Sequence, residues 1–157
     1  MIMSETYLGN PNLKRSNVPI EFTNDNIQEY IKCSKDPVYF IKNYIQIVNI
    51  DRGLIPFDLY DFQEDMVETF GANRFVICKL PRQSGKSTTV TAYMLWLILF
   101  SDNQNIAILA NKGALARELL GKIQLAYEHL PVWLQQGITV WNKGNIELEN
   151  GSKIVAA

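Results

Sequence analysis

The chain has 157 residues, of which 47% are hydrophobic and 20% are charged. These values are typical of a globular domain with a core of ordinary size, and they exclude a disordered or fibrous chain. Fifteen Lys and Arg residues oppose 16 Asp and Glu residues, which gives a formal net charge of -1. No global positive field therefore favours nucleic acid or a membrane surface, and any contact with DNA has to be local or come from parts not present in this chain.

Cysteine usage and hydropathy limit the cellular setting. Cys33 and Cys78 lie far apart and show no metal-ligand spacing. Without a signal peptide before them, we expect a reduced, cytosolic protein without a structural disulfide. The most apolar run, residues 90–100, is well short of the roughly 20 residues that a membrane span needs. We predict a buried helix there and no membrane partner.

The N-terminal part divides into an arm and a helical piece. Residues 1–22 contain Asn, Pro and Gly without a steady period, which predicts an extended arm that either lies over a surface or waits for a partner. Residues 23–50 predict two helices, the second of which opens at Asp36-Pro37, an N-cap followed by proline at the first helical position. The apolar face predicted for this second helix comprises Val38, Ile41, Tyr44, Ile45 and Val48.

Residues 51–157 predict an α/β domain, because short apolar runs alternate with helical patterns and such alternation implies a parallel sheet. The tail predicts hairpins instead, with turns at Asn142-Lys143-Gly144 and Asn150-Gly151. The fold class is therefore α/β: a P-loop NTPase-type parallel sheet with flanking helices, an N-terminal helical piece and C-terminal β-hairpins. The predicted helices lie at residues 59–70, 86–100 and 114–129, and the predicted strands at 74–79, 106–110, 138–141, 145–149 and 152–157.

The loop after the first predicted strand carries the chemistry. Residues 80–90 read LPRQSGKSTTV, close to the phosphate-binding pattern G-x-x-x-x-G-K-[ST], except that Leu80 stands in place of the first glycine. Gly85, Lys86 and Ser87 supply a helix start that favours anions, a lysine for terminal phosphates and a hydroxyl for magnesium. The loop therefore predicts nucleotide binding.

Arg82 lies inside this loop and has two interpretations. Its guanidinium lies within reach of a γ-phosphate and could stabilise the charge that develops there, or it is a solvated loop arginine. Residues 74–86 contain four basic side chains and no acidic one, a local positive field that suits a polyphosphate. The four are Arg74, Lys79, Arg82 and Lys86.

Several motifs together resemble one family. PRQSGKST, with an arginine in the loop and no leading glycine, resembles the phosphate loop of the large terminase subunit of tailed bacteriophages, in particular its T-even-like branch. YDFQEDM resembles the glutamine motif of that family, with Gln63 at the position that reads adenine. NLKRSNV, ILANKG and WNKGNIELENGSKI are also similar, so the resemblance runs from about Asn12 to the last residue.

The resemblance implies an ATPase that drives double-stranded DNA into procapsids in the host cytoplasm, with the portal protein and the small terminase subunit as partners. It implies ATP and magnesium as cofactors, with Lys86 on the β and γ phosphates and Ser87 on magnesium. Arg82 is implied as an arginine switch or finger in cis, and Gln63 as the residue that selects adenine. The predicted catalytic residues are Arg82 and Lys86, and the predicted nucleotide-binding residues are Gln63, Arg82, Gln83, Ser84, Gly85, Lys86, Ser87 and Thr88.

The sequence also departs from this family. A working ATPase of the kind needs an apolar strand that ends in adjacent acidic residues, one for magnesium and one to activate water. No Asp is followed directly by Glu in the chain, and the apolar strand after the loop leads into Asn111-Lys112. We therefore expect residues 51–157 to be the front part of the ATPase domain, truncated before the acidic strand, with the nuclease and the rest of the terminase supplied elsewhere.

Two alternatives stay open at this stage. A helicase-like translocase fragment would also have an upstream glutamine and a phosphate loop, although such helicases usually keep a glycine-richer loop without an arginine where Arg82 stands. A nucleotide-binding or interaction module without hydrolysis is the second alternative, and the missing acidic pair favours it for the isolated chain.

Overall fold

The structure, a computed structural model, describes residues 5–157, so the first four residues of the predicted arm lie outside it. The described residues form a mixed α/β fold with five α-helices and three small sheets. Among them, no helix combines the length and the apolar character needed to cross a bilayer. The helices are α1 (Asn24–Lys35), α2 (Pro37–Tyr44), α3 (Asp61–Ala72), α4 (Lys86–Phe100) and α5 (Gly113–Glu128).

The strands form two separate hairpins and one larger sheet. β1 pairs with β2 and β3 pairs with β4, both antiparallel. The four-stranded sheet has the order β5-β8-β7-β6, in which β5 and β8 are parallel and the other neighbours are antiparallel. The strands are β1 (Thr6–Tyr7), β2 (Asn10–Lys14), β3 (Gln46–Asn49), β4 (Gly53–Pro56), β5 (Asn105–Ile108), β6 (Ile138–Trp141), β7 (Asn145–Leu148) and β8 (Lys153–Ala156).

Helix α4 lies at the centre of the fold. It packs against α2, α3 and α5, and Leu95, Ile98 and Leu99 are fully buried along it. A helix that is apolar around most of its circumference is stable only when other elements cover it. The predicted bounds of this helix are confirmed, and its burial fixes the position of the loop that precedes Lys86.

Helix α2 starts as predicted and ends sooner. Asp36 caps it, because its Oδ1 accepts a hydrogen bond of 3.1 Å from the backbone N–H of Tyr39. The helix stops at Tyr44, so the prediction that Ile45 and Val48 continue its apolar face is wrong. The β-branched run after Tyr44 favours a strand, and it pairs with β4 across a tight turn instead of extending the helix.

The strand predicted at residues 74–79 does not form, and that prediction is wrong. The segment has no strand partner among the described residues, and Phe75 and Ile77 are 84% and 97% exposed. An apolar run signals a strand only when a neighbour offers backbone partners. Within the described residues β5 pairs with β8 from the tail, so a single parallel pair takes the place of the predicted parallel sheet.

The N-terminal arm packs against the tail of the chain. Gln135 is buried between them: its Oε1 accepts a hydrogen bond from the N–H of Lys14 (3.1 Å), and its Nε2 donates one to the carbonyl of Asn12 (2.9 Å). Leu13 is buried in the main core beside this contact. Residues 5–17 therefore lie over the folded domain, which is the first of the two possibilities that the sequence left for the arm.

The carboxylate of Glu149 joins the arm to the sheet. Its oxygens accept hydrogen bonds from the backbone N–H groups of Asn17 (2.7 Å) and Gly137 (3.0 Å), and the Lys14 ammonium lies 3.5 Å away. Burial by itself raises the pKa of Glu149, but these bonds and the ammonium outweigh it and lower the pKa below its ordinary value of 4.5. The charged form of Glu149 is thus the form that holds the arm.

Glu149→Gln should lower the free energy of unfolding by about 1–2 kcal/mol at pH 7, because the two backbone N–H groups bond to different oxygens and the amide NH2 that replaces one of them cannot accept a bond. A depressed folded pKa contributes stability above the ordinary value of 4.5, and this stability is lost as the pH falls through the folded pKa. Urea titrations of wild type, the variant and the exposed control Glu118→Gln at pH 7 and below pH 4.5 test this. An equal acid-induced loss in wild type and Glu149→Gln would contradict it.

Gly137→Ala should destabilise the fold by about 2 kcal/mol through overpacking. A Cβ at this position would lie 2.6 Å from the Cα of Ser16 and 2.8 Å from the carbonyl oxygen of Arg15, and backbone atoms cannot rotate away. The matched control is Gly121→Ala on α5, where a Cβ meets nothing within 4 Å. Alanine should stabilise the helix there by about 0.5–1 kcal/mol. Chemical denaturation should therefore give shifts of opposite sign.

Candidate functional site

The candidate site is the junction between the loop at residues 80–85 and helix α4. Gly85 is the N-cap of the helix and adopts a left-handed conformation with φ of +72°. The first N–H groups of a helix have no intrahelical partner and carry the positive end of the helix dipole. The helix start predicted at Lys86 is confirmed, and it provides an environment that favours an anion.

The backbone of the loop explains why Leu80 can replace a glycine. The positive φ angles in the loop belong to Gln83 (60°) and Gly85 (72°), whereas Leu80 is not among the residues with positive φ. A glycine is required only where the backbone enters that region. Gln83 accepts the strain of the left-handed conformation, a feature that is frequent at functional sites.

Two polar side chains of the loop are poised toward its interior. The Nζ of Lys86 donates a hydrogen bond of 3.3 Å to the carbonyl of Leu80, so the lysine folds back over the loop. The Oγ of Ser84 is buried and has no hydrogen-bond partner among residues 5–157. A buried hydroxyl without a partner is unusual, and here it lies beside a helix start that favours anions.

Gln63 reaches the loop from helix α3. Its side chain is only 2% exposed. The Oε1 accepts a hydrogen bond from the N–H of Tyr60 (2.9 Å), and the Nε2 donates one to the carbonyl of Ser84 (3.1 Å). The structure therefore brings together the glutamine and the loop, the two motifs that carry the family resemblance, and both ends of the glutamine amide have partners inside the protein.

A cavity of about 670 Å³ opens between the loop, the start of α3 and the β3–β4 hairpin. The rings of Tyr60 and Phe62 stack at its wall, with centroids 5.9 Å apart and planes at 11°. Phe62 is 39% exposed there, although the helical period of residues 59–70 places it on the apolar face of α3. The predicted site residues that line the cavity are Gln63, Arg82, Gln83, Ser84, Gly85 and Thr88.

Lys86 and Ser87 line a second cavity, of about 220 Å³. Its walls are mostly apolar and include Cys78 and Ile108. The eight predicted residues are therefore contiguous around the loop but divided between two neighbouring cavities. In the described part of the chain, no group of three or more His, Cys, Asp or Glu side chains is arranged to hold a metal ion.

The sequence did not predict the β3–β4 hairpin as a wall of the site. Ile47, Asn49, Ile55 and Pro56 contribute to the larger cavity from this hairpin. The apolar, β-branched residues at 45–48 are the signal that indicates a strand here, but they also continue the helical period of α2, which is why the sequence predicts them as part of that helix.

Gly85→Ala should cost more stability than Gly53→Ala, although the two glycines have almost the same positive φ, 72° and 71°. Each alanine should lose about 1–2 kcal/mol to the left-handed conformation. A Cβ at Gly85 would also lie 2.5 Å from the Nε2 of Gln63, whereas one at Gly53 meets nothing within 4 Å. Displacement of Gln63 should add about 1 kcal/mol. Equal losses in urea denaturation would contradict the close contact.

A family model described as "Terminase large subunit, T4likevirus-type, N-terminal" matches residues 77–157. The match covers a little more than half of the chain. It includes the loop, α4, α5 and the four-stranded sheet, and it begins after Gln63 and the arm. The chain therefore belongs to the family of T4likevirus-type terminase large subunits, with the match in their N-terminal region.

Proposed function

We propose that this chain is the ATP-binding part of the terminase large subunit, the motor ATPase that packages double-stranded viral DNA into procapsids. The observation that carries the proposal is the left-handed Gly85, which sets a tight loop at the N-terminus of the buried helix α4 beside a cavity of about 670 Å³. Pockets of about 300–1,000 Å³ are typical for small molecules and cofactors.

The residues present fit a polyphosphate. The partnerless Ser84 hydroxyl can donate a hydrogen bond, and the helix start offers N–H groups and a favourable dipole. The ammonium of Lys86, which rests on the carbonyl of Leu80, can exchange that neutral acceptor for a charged phosphate oxygen. We propose that these groups, together with Gln83, Gly85 and Thr88, hold the phosphates of ATP.

Magnesium would be held in part by the hydroxyl of Ser87 and would neutralise charge on the phosphates when bound. A single hydroxyl is not a sufficient site, because magnesium in such enzymes also needs a carboxylate. We propose that the acidic residues come from the remainder of the terminase. Arg82 is exposed at the cavity wall, and we propose that it acts in cis on the γ-phosphate.

The cavity wall opposite the phosphates supplies apolar and aromatic surface for a base. Tyr60 and Phe62 present stacked rings, and Ile47 and Ile55 extend that surface from the hairpin. Aromatic side chains stack favourably on bases. The selection of adenine by Gln63 stays a prediction.

A nucleotide-binding module without hydrolysis is the second candidate. The observation that favours it is the lack of an acidic metal-binding cluster among the described residues. A helicase-like translocase is disfavoured by the family match, which covers the loop itself. By family, we propose double-stranded DNA, the portal protein and the small terminase subunit as partners, with the host cytoplasm at the procapsid as the site of action.

Lys86→Ala should weaken the affinity for magnesium-ATP by about 10–100-fold, because a charged hydrogen bond of this kind contributes about 1.5–3 kcal/mol. Isothermal titration calorimetry of the full chain measures the effect. Lys35→Ala, on the exposed end of α1, is the matched control and should bind like wild type. Unchanged affinity in Lys86→Ala would contradict the assignment of the phosphate loop.

Phosphate release by the purified chain tests whether its site is complete. We expect magnesium-dependent ATP binding without turnover, because the apolar strand after the loop leads into Asn111-Lys112 and not into adjacent carboxylates. If wild type releases phosphate from ATP and Lys86→Ala does not, a carboxylate of this chain completes the site.

A further inference from the structure

We infer that Gln63 is a positioning residue of the phosphate loop, whose amide sets the orientation of the Ser84–Gly85 peptide, and that nucleotide affinity depends on it through the phosphates. The inference rests on the proposed function, because it concerns the same site. It assigns to Gln63 a role that differs from the reading of adenine.

The hydrogen bonds of Gln63 leave it little freedom for a base. The Oε1 accepts a hydrogen bond from the N–H of Tyr60 at the start of α3, and the Nε2 donates one of its two hydrogens to the carbonyl of Ser84. The side chain lines the larger cavity but is only 2% exposed, and the second Nε2 hydrogen is the donor that these two bonds leave over. Reading the edge of adenine needs a donor and an acceptor of the amide together, and the acceptor is already engaged with Tyr60.

The bond to Ser84 has a direct consequence for the loop. In a trans peptide, the carbonyl of one residue and the N–H of the next lie in one plane and point in opposite directions. The chain has no cis peptide in its described residues. When Gln63 holds the carbonyl of Ser84 on the side of α3, the N–H of Gly85 points away from α3, which makes it available to a bound anion.

Close packing supports this orientation. The Nε2 of Gln63 lies so near Gly85 that an added Cβ would be 2.5 Å from it. The amide thus lies against the Cα of Gly85 and opposes rotation of the peptide. The loop needs such a restraint, because Gln83, directly before Ser84, has a positive φ that is unfavourable for a residue other than glycine.

Two variants of Gln63 separate its two hydrogen bonds. Gln63→Glu keeps an oxygen for the N–H of Tyr60 but replaces the donor to Ser84. Gln63→Met has a similar length, carries no charge and removes both bonds. The control for the Glu variant is Gln124→Glu on α5, where an exposed glutamine also donates to a backbone carbonyl, that of Asn142. The probes are magnesium-ATP, magnesium-GTP and magnesium with inorganic triphosphate, each titrated into the full chain.

The inference predicts that both Gln63 variants bind all three probes about tenfold more weakly, by a similar factor for each, while Gln124→Glu binds like wild type. The amide resonance of Gly85 should shift in both variants, while that of Gly121 stays in place. This signature reports the loop and would not follow from a general loss of stability. If Gln63→Met does not fold, Gln63→Glu decides alone, because it keeps the bond at the start of α3.

Three results would overturn the inference. Weaker binding of ATP with unchanged binding of GTP and triphosphate would make Gln63 a reader of the base. Unchanged binding of all three probes would remove any role for it. A wild-type chain that binds none of the probes would refute the proposed function and the inference with it. This outcome is distinct from the other two, because in those the wild-type chain still binds magnesium-ATP.

Discussion

Burial of helix α4 is the constraint on which the site depends. Its apolar side chains pack against α2, α3 and α5, so the position of Lys86 at its first turn follows from the core. The loop that precedes Lys86 therefore has to turn tightly into the helix, and Gly85 makes that turn in the left-handed conformation. The free N–H groups of the helix start, the Lys86 ammonium and the Ser84 hydroxyl are brought together by that turn.

The parts of this site that depend on local sequence could be predicted. A glycine before a lysine at the start of an apolar run indicates a helix start, and α4 has the predicted bounds. The capping of α2 by Asp36 and the two tail hairpins are also local and are confirmed. In each case the residues that determine the geometry lie within a few positions of one another, so their pattern is visible in the sequence.

The errors concern features that depend on distant partners. The run at 74–79 has the apolar character of a central strand, but no strand of the described chain pairs with it. The arm has no periodicity of its own, since its contacts are made with Gln135 and Glu149, more than 100 positions away. The position of Gln63 at the loop was suggested by the family motif, whereas its bond to the carbonyl of Ser84 became visible only in three dimensions.

We propose that the loop between Leu80 and Lys86 holds the phosphates of a nucleotide. A crystal structure of the chain with magnesium and a non-hydrolysable ATP analogue would decide this. We expect the β-phosphate within hydrogen-bond distance of the backbone N–H groups around Gly85 and of the Lys86 ammonium, with the base toward Tyr60 and Phe62. An analogue bound elsewhere, with Lys86 still on the carbonyl of Leu80, would contradict it.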